Sequence, residues 1–194
     1  MRLISLTDLK SFLEKTDTVN DQLLSGIIER VSSVIEKYLN RYLLKATRTV
    51  SRNAGRRYYY LPAYPIDEVA ILTVTYAGVA QTKDTQFFVR AVDGLIEFQQ
   101  NSIPVYTNPK EVVINWTGGY AASGESDTEC LDVDDDLKEA ALRQSAYNFR
   151  RRRDIGVSSV SMPDGSISKS PIDSFLLPEV KGLLVNYRRP AGEY

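Results

Sequence analysis

The chain has 194 residues, 24 Lys+Arg against 25 Asp+Glu, and a formal net charge of -1. It is long enough for one large domain with a real core, and its 43% hydrophobic content excludes a chain disordered by composition. There is no histidine and a single cysteine, Cys130, so His-based triads and an internal disulfide are excluded, and the charge balance argues against a protein that coats nucleic acid.

The first block, residues 1–44, reads as helical. "SLTD" (Ser5–Asp8) fits a capping box, because a Ser hydroxyl and an acid three residues on satisfy free amides at a helix start. Leu6, Leu9, Phe12 and Leu13 then share a face. Thr18 or Asn20 caps a second helix, in which Leu23, Leu24, Ile27, Ile28, Val31, Val34, Ile35, Tyr38 and Leu39 keep 3/4 spacing. Each of these is worth about 1.5–3 kcal/mol if fully buried. "NRYLL" (Asn40–Leu44) ends this helix. "MRLISLTDLKSFLEK" carries charge too early for a secretory signal, and no apolar run approaches the roughly 20 residues of a membrane helix. The expectation is a soluble chain with no membrane partner.

Residues 45–120 change to short β-branched and aromatic runs, and about six short strands are expected. Ala54-Gly55, between "ATRTVSRN" and "RRYYYLP", reads as a hairpin. Gly78 reads as a turn between "VAILTVTY" and a strand around "TQFFVRA". "GLIEFQQ" and "EVVINWTGGY" complete the set. Residues 121–133 read as an acidic linker, and a long Ala-rich helix starts near Asp134, Asp135 and Asp136. Its acids suit the N-terminus and Arg150, Arg151, Arg152 and Arg153 suit the C-terminus, where the helix dipole favours each. "DIGVSSVSMPDGSISKSP" reads as a loop turning at Pro-Asp-Gly, and "LPEVKGLLVNY" as a short last helix. The fold class is therefore α+β: a helical core of about four helices (1–44 and 134–190) with an inserted antiparallel β-rich block (45–120).

No stretch carries catalytic or metal chemistry. "DVDDD" (Asp132–Asp136) lacks the Gly and Glu an EF-hand needs, since those positions hold Leu137 and Arg143. "TGGY" has no following Lys-Ser/Thr for a phosphate loop and reads as a strand exit. Cys130 lies among acids, which make it a poor nucleophile. No cofactor is expected. Tyr58, Tyr59 and Tyr60 beside Arg56 and Arg57 could stack single-stranded nucleic acid. Strand alternation, however, puts Tyr58 and Tyr60 on one face and Tyr59 on the other, so at least one face is packing.

Three readings are open for Arg150–Arg153: a solvated helix end, a clamp on phosphates, or a subunit contact. Successive helical residues point about 100° apart, so the four cannot serve one flat contact. For the third reading the chain supplies acids at Glu125, Asp127, Glu129, Asp132, Asp134, Asp135 and Asp136. A chain with an acidic and a basic segment suits a head-to-tail contact, which closes into a ring when repeated.

Several stretches, in order, resemble the head–tail connector (adaptor) proteins of tailed bacteriophages, including longer members from prophages and gene-transfer particles. They are "LISLTDLKSFLEKTDTVNDQLLSGIIERVSSVIEKYLNRYLL", "YYYLPAYPIDEVAILTV", "EVVINWTGGYA", "DLKEAALRQSAYNFRRRRDIGVSSVSMPDGSIS" and "LPEVKGLLVNYRRP". The likeness spans nearly the whole chain and departs at "AASGESDTECLDVDDD", where a Pro commonly precedes the Ala-rich helix. The resemblance implies a non-catalytic ring of about a dozen copies under the portal protein. That ring would also meet a stopper or tail-completion protein, and DNA would pass through its lumen without sequence preference. The chain would be made in the bacterial host cytoplasm and end in the virion. Subunit-contact candidates are Arg150–Arg153, Asp132 and Asp134–Asp136. Portal-docking candidates are Gly156, Ser158, Ser159, Met162, Asp164, Gly165, Tyr187, Arg188 and Arg189. The competing reading is a nucleic-acid-binding module using Arg56, Arg57, Tyr58–Tyr60 and Arg150–Arg153.

Overall fold

The computed structural model describes residues 2–70, 72–104, 111–121, 133–152, 159–162, 165–168 and 175–189. The chain divides into two compact units, Met1–Leu39 with Asp134–Arg188, and Asn40–Val133 with Arg189–Tyr194. The fold is α+β, with helices in the first unit and two antiparallel sheets in the second.

In the helical unit, α1 (Leu6–Phe12) starts on a capping box: the Asp8 amide donates to Ser5 Oγ at 3.0 Å, and the Ser5 amide donates to Asp8 Oδ2 at 3.1 Å. The 19-residue α2 (Asp21–Leu39) buries Leu24, Ile27, Ile28, Val31, Ile35 and Leu39 along one stripe, while Leu23 is partly exposed. Ser32 lies in the same stripe. Its hydroxyl donates to the Ile28 carbonyl at 2.8 Å and accepts the Leu3 amide at 3.1 Å, so it ties the leading segment to α2. Helix α3 (Asp135–Arg150) packs against α1, α2 and α4 (Pro178–Leu184). Ala140, Ala141 and Ala146 let those backbones approach, and Leu137 and Phe149 fill the rest. Gln144 is buried. Its Oε1 accepts the amide of Leu177, the residue before α4, at 2.9 Å, so one side chain satisfies a helix-start donor that α4 lacks a cap of its own to hold.

The expected loop after α3 contains a hairpin, β8 (Ser159–Met162) with β9 (Gly165–Ser168), closed by the pair Met162 and Gly165. The stretch reads as loop because its Ser/Val/Gly alternation is too polar to signal a buried face.

In the β unit, β1 (Ala46–Asn53), β7 (Glu111–Gly118), β3 (Leu72–Tyr76) and β4 (Val79–Ala80) form one sheet in that order. β2 (Tyr58–Tyr60), β6 (Leu95–Phe98) and β5 (Phe87–Arg90) form a second. The expected hairpin at Ala54-Gly55 does not exist: β1 pairs with β7, and β2 pairs with β6. Gly78 does make a turn, but it leads into the two-residue β4, while β5 belongs to the other sheet. Nearby sequence turns mark where the chain bends, not which strands pair. The sheets share one core, in which Tyr59, Ile96, Phe87 and Phe98 from one meet Val74, Val112, Ile114 and Trp116 from the other. Tyr59 meets Phe98 edge-on at 5.5 Å between ring centroids.

β7 leaves its sheet through "TGGY". A Cβ on Gly118 would lie 2.7 Å from the Ala63 carbonyl oxygen. One on Gly119, at φ +114, would lie 2.5 Å from the Leu44 backbone, so only glycine lets these strands close. Beside this point Asp67 is buried and ion-paired to Lys45 at 2.9 Å. Its Oδ1 also accepts the amides of Val69 (3.0 Å) and Ala70 (3.1 Å), which shapes the turn before β3.

Burial alone would raise the Asp67 pKa, but Lys45 and the two amides outweigh it and the carboxyl sits below the ordinary range. A depressed folded pKa gives stability that is complete above the unfolded value of about 3.9 and is lost as pH falls through the folded value. Asp67→Asn is expected to cost about 1–2 kcal/mol at pH 7. Urea unfolding followed by circular dichroism should show the gap between variant and parent shrinking as pH drops below about 4. A gap that stays constant contradicts the assignment.

Candidate assembly surfaces

Helix α3 carries opposite charge at its two ends. Asp134 precedes it, and Asp135 and Asp136 are exposed in its first turn. Asp135 is fully exposed and touches Lys138 at 3.6 Å. Arg150 is exposed in the last turn. At 1.5 Å per residue the two ends lie about 22 Å apart, so acids and arginines of one copy do not neutralise each other across the helix.

The arginines are not equivalent. Arg151 caps the helix through its amide and donates from Nη1 to the Tyr147 hydroxyl at 2.6 Å. Arg152 lies over the Phe149 ring at 3.9 Å and donates to the Phe149 carbonyl. Both are turned back on their own helix. Arg153 and Asp132 lie outside the described residues.

Of the expected docking residues, Gly156, Ser158 and Asp164 lie outside the described residues. Ser159, Met162 and Gly165 fall in the β8–β9 hairpin. Tyr187 ends a 3-10 turn after α4, and Arg188 is exposed beside the Tyr38 ring at 5.3 Å. Arg189 is held in the β unit. It donates to the carbonyls of Leu61 (2.9 Å) and Asp93, and lies over the rings of Tyr64 (4.3 Å) and Tyr60 (5.3 Å). Its side chain is spent on internal contacts, which makes it a tether.

The tether meets a residue that sequence reasoning missed. Arg41 is buried at 5% exposure. Its guanidinium carbon lies 3.3 Å from the Tyr64 ring centroid, and Nη2 donates to the Tyr64 carbonyl at 2.6 Å. Burial lowers its pKa, and Tyr64 and Tyr120 oppose that shift. Two arginines therefore stack on one tyrosine, held by π-faces and carbonyls. "NRYLL" reads as a helix end, and nothing in that stretch signals a buried cation.

The outer face of the β2–β6–β5 sheet is the other feature the sequence only half revealed. Register places Tyr58, Glu97 and Phe88 side by side across its three strands. Tyr59 points inward and is buried, on the opposite face from Tyr58 and Tyr60 as strand alternation requires. Tyr58 and Phe88 stay 44% and 42% exposed. Glu97 accepts from Arg57 at 2.8 Å and from Arg90 at 3.2 Å, one arginine on each carboxylate oxygen. Phe88 escaped notice because it sits in a run, "TQFFVRA", whose neighbour Phe87 is core.

Among the described residues no group of His, Cys, Asp or Glu is arranged to hold a metal ion. No described helix is long and apolar enough to cross a membrane.

No curated protein sequence matches this chain significantly. Three of the solved structures that share its fold come from gene transfer agent (GTA) particles. The "Neck of empty GTA particle computed with C6 symmetry" is 18% identical, with TM-score 0.60, covering 98% of this chain and 92% of that chain. The "Virion of native gene transfer agent (GTA) particle" is 17% identical, with TM-score 0.62 and coverage of 99% and 94%. The "Neck of native GTA particle computed with C12 symmetry" is 19% identical, with TM-score 0.53 and coverage of 97% and 94%. The family model described as "Head completion protein" matches residues 2–190, nearly the full length, and this chain belongs to that family.

Proposed function

We propose that this chain is a structural head–tail connector of a tailed phage-like particle, built as a ring that joins the DNA-filled head to the tail. The observation that carries the reading is the head completion family match over residues 2–190. The shared fold with neck and virion proteins of gene transfer agent particles supports the location, and the C12 symmetry of one such neck supports a ring of twelve. Closed rings need one interface repeated head to tail, with two different patches on each copy. The two ends of α3 supply surfaces of opposite charge for such contacts, without requiring that they meet each other. Arg150–Arg153 at one end, and Asp132 with Asp134–Asp136 at the other, lie at or near contacts between copies.

The role is mechanical. The portal protein lies on the head side and a stopper or tail-completion protein on the tail side. The β8–β9 hairpin and the segment after α4 are the parts offered to the portal. DNA crosses the lumen without being gripped. A chain of net charge -1 suits this, because tight phosphate binding would oppose sliding.

Particles made without this chain are expected to have tail-less heads that lose their genome, seen by electron microscopy and nuclease sensitivity. Tailed, DNA-retaining particles in normal numbers would refute the reading. At the level of residues, Arg151→Glu with Arg152→Glu should reduce ring formation several-fold at low salt in sedimentation, since opposed charges are screened least there. Unchanged assembly at low salt would remove the arginine block from the contact.

A further inference from the structure

The outer face of the β2–β6–β5 sheet combines two exposed aromatic rings with two arginines around a single carboxylate. Aromatic residues and arginine are the types enriched at protein interfaces. Arg57 and Arg90 each spend one donor on Glu97, out of the five a guanidinium carries. Their side chains are 42% and 60% exposed, whereas Glu97 is 15% exposed, so the spare donors face outward and the carboxylate does not. Beside them lies a cleft of about 270 Å³ lined by Arg57, Phe88, Glu97, Gln99 and Asn101. The face thus presents spare cationic donors, apolar rings and a side-chain-sized recess.

We infer that this sheet face is a docking surface for the acidic first turn of α3 of a second copy, with Asp135 and Asp136 received by Arg90 and Arg57. The inference rests on the ring reading above and names one of its joints. Charge complementarity selects the occupant. Asp135 and Asp136 are exposed, and the only described ion pair at either is the 3.6 Å contact with Lys138. Arg57 and Arg90 together exceed the one Glu97 carboxylate between them by one positive charge, so the sheet face keeps a cationic excess for an acidic partner. Two guanidiniums against one carboxylate is too small an excess to hold a polyphosphate, which requires several neutralised phosphates. The rings match a protein surface, where they supply the desolvated contact that exposed ion pairs lack.

The test uses cross-linking in assembled particles, with Cys130→Ser as background. One population of chains carries Tyr58→Cys and the other Asp135→Cys, and the two are co-assembled. A short thiol cross-linker should give a dimer of the chain from the mixture, and none from either population alone. Arg90→Glu should lower incorporation into particles by tenfold or more, and Asp135→Arg in the same chain should restore most of it, which a misfolded variant would not allow. Normal incorporation with no cross-link, or a cross-link from Tyr58→Cys to a different particle protein, would overturn the inference. If the parent chain forms no ring in particles at all, the connector reading fails instead.

Discussion

The β unit depends on one buried hydrogen bond and the strand that carries it. Trp116 is 1% exposed, and its indole N–H donates to the Ala63 carbonyl at 3.0 Å. It sits on β7, which pairs with β1 on one side and β3 on the other, and its ring enters the core shared by both sheets. A tryptophan is among the largest apolar surfaces a chain can bury, and it is stable inside only if its N–H is satisfied. Ala63 satisfies it because Gly118 lets the two backbones approach. The sequence "NWTGGY" therefore works as a unit: anchor, then close approach, then exit. Everything presented on the outer sheet face, including Tyr58, Phe88 and the Arg57–Glu97–Arg90 cluster, is positioned by that core.

Magnitudes constrain how such a chain can assemble. An exposed ion pair is worth about 0–1 kcal/mol and is screened by salt, so charge alone does not hold a ring together. Buried aromatic contacts contribute more, and arginine beside a ring combines both effects. The outer sheet face places these elements together, whereas the described ends of α3 are marked by charge. On the proposed ring, charge would set the order and polarity of neighbours, and apolar contact would set the strength. A closed ring repeats each modest contact at every joint, so strength grows by repetition while each single contact stays weak.

Local signals in the sequence were legible where one element explains itself. The α2 periodicity, the Ser5–Asp8 capping box and the placing of Tyr59 on the opposite face from Tyr58 and Tyr60 all follow from spacing within a few residues. Strand pairing was not legible, because β1 finds its partner in β7, across the whole inserted block, and a nearby Gly gives no information about so distant a neighbour. Arg41 was missed for a related reason. Its burial depends on Tyr64, Tyr120 and Arg189, which share no periodic relation with it. Of the residues marked for contacts, the ends of α3 fall where dipole logic puts them, while Arg189 proves to be an internal tether, a role that only the carbonyls of Leu61 and Asp93 reveal.

The most direct measurement is a reconstruction of the head–tail junction in particles containing this chain, with the chain tagged for identification. The account predicts a single closed ring of identical copies between head and tail, with DNA density passing through its centre. Finding the chain elsewhere in the particle, or as isolated copies that touch no neighbour of their own kind, would contradict it.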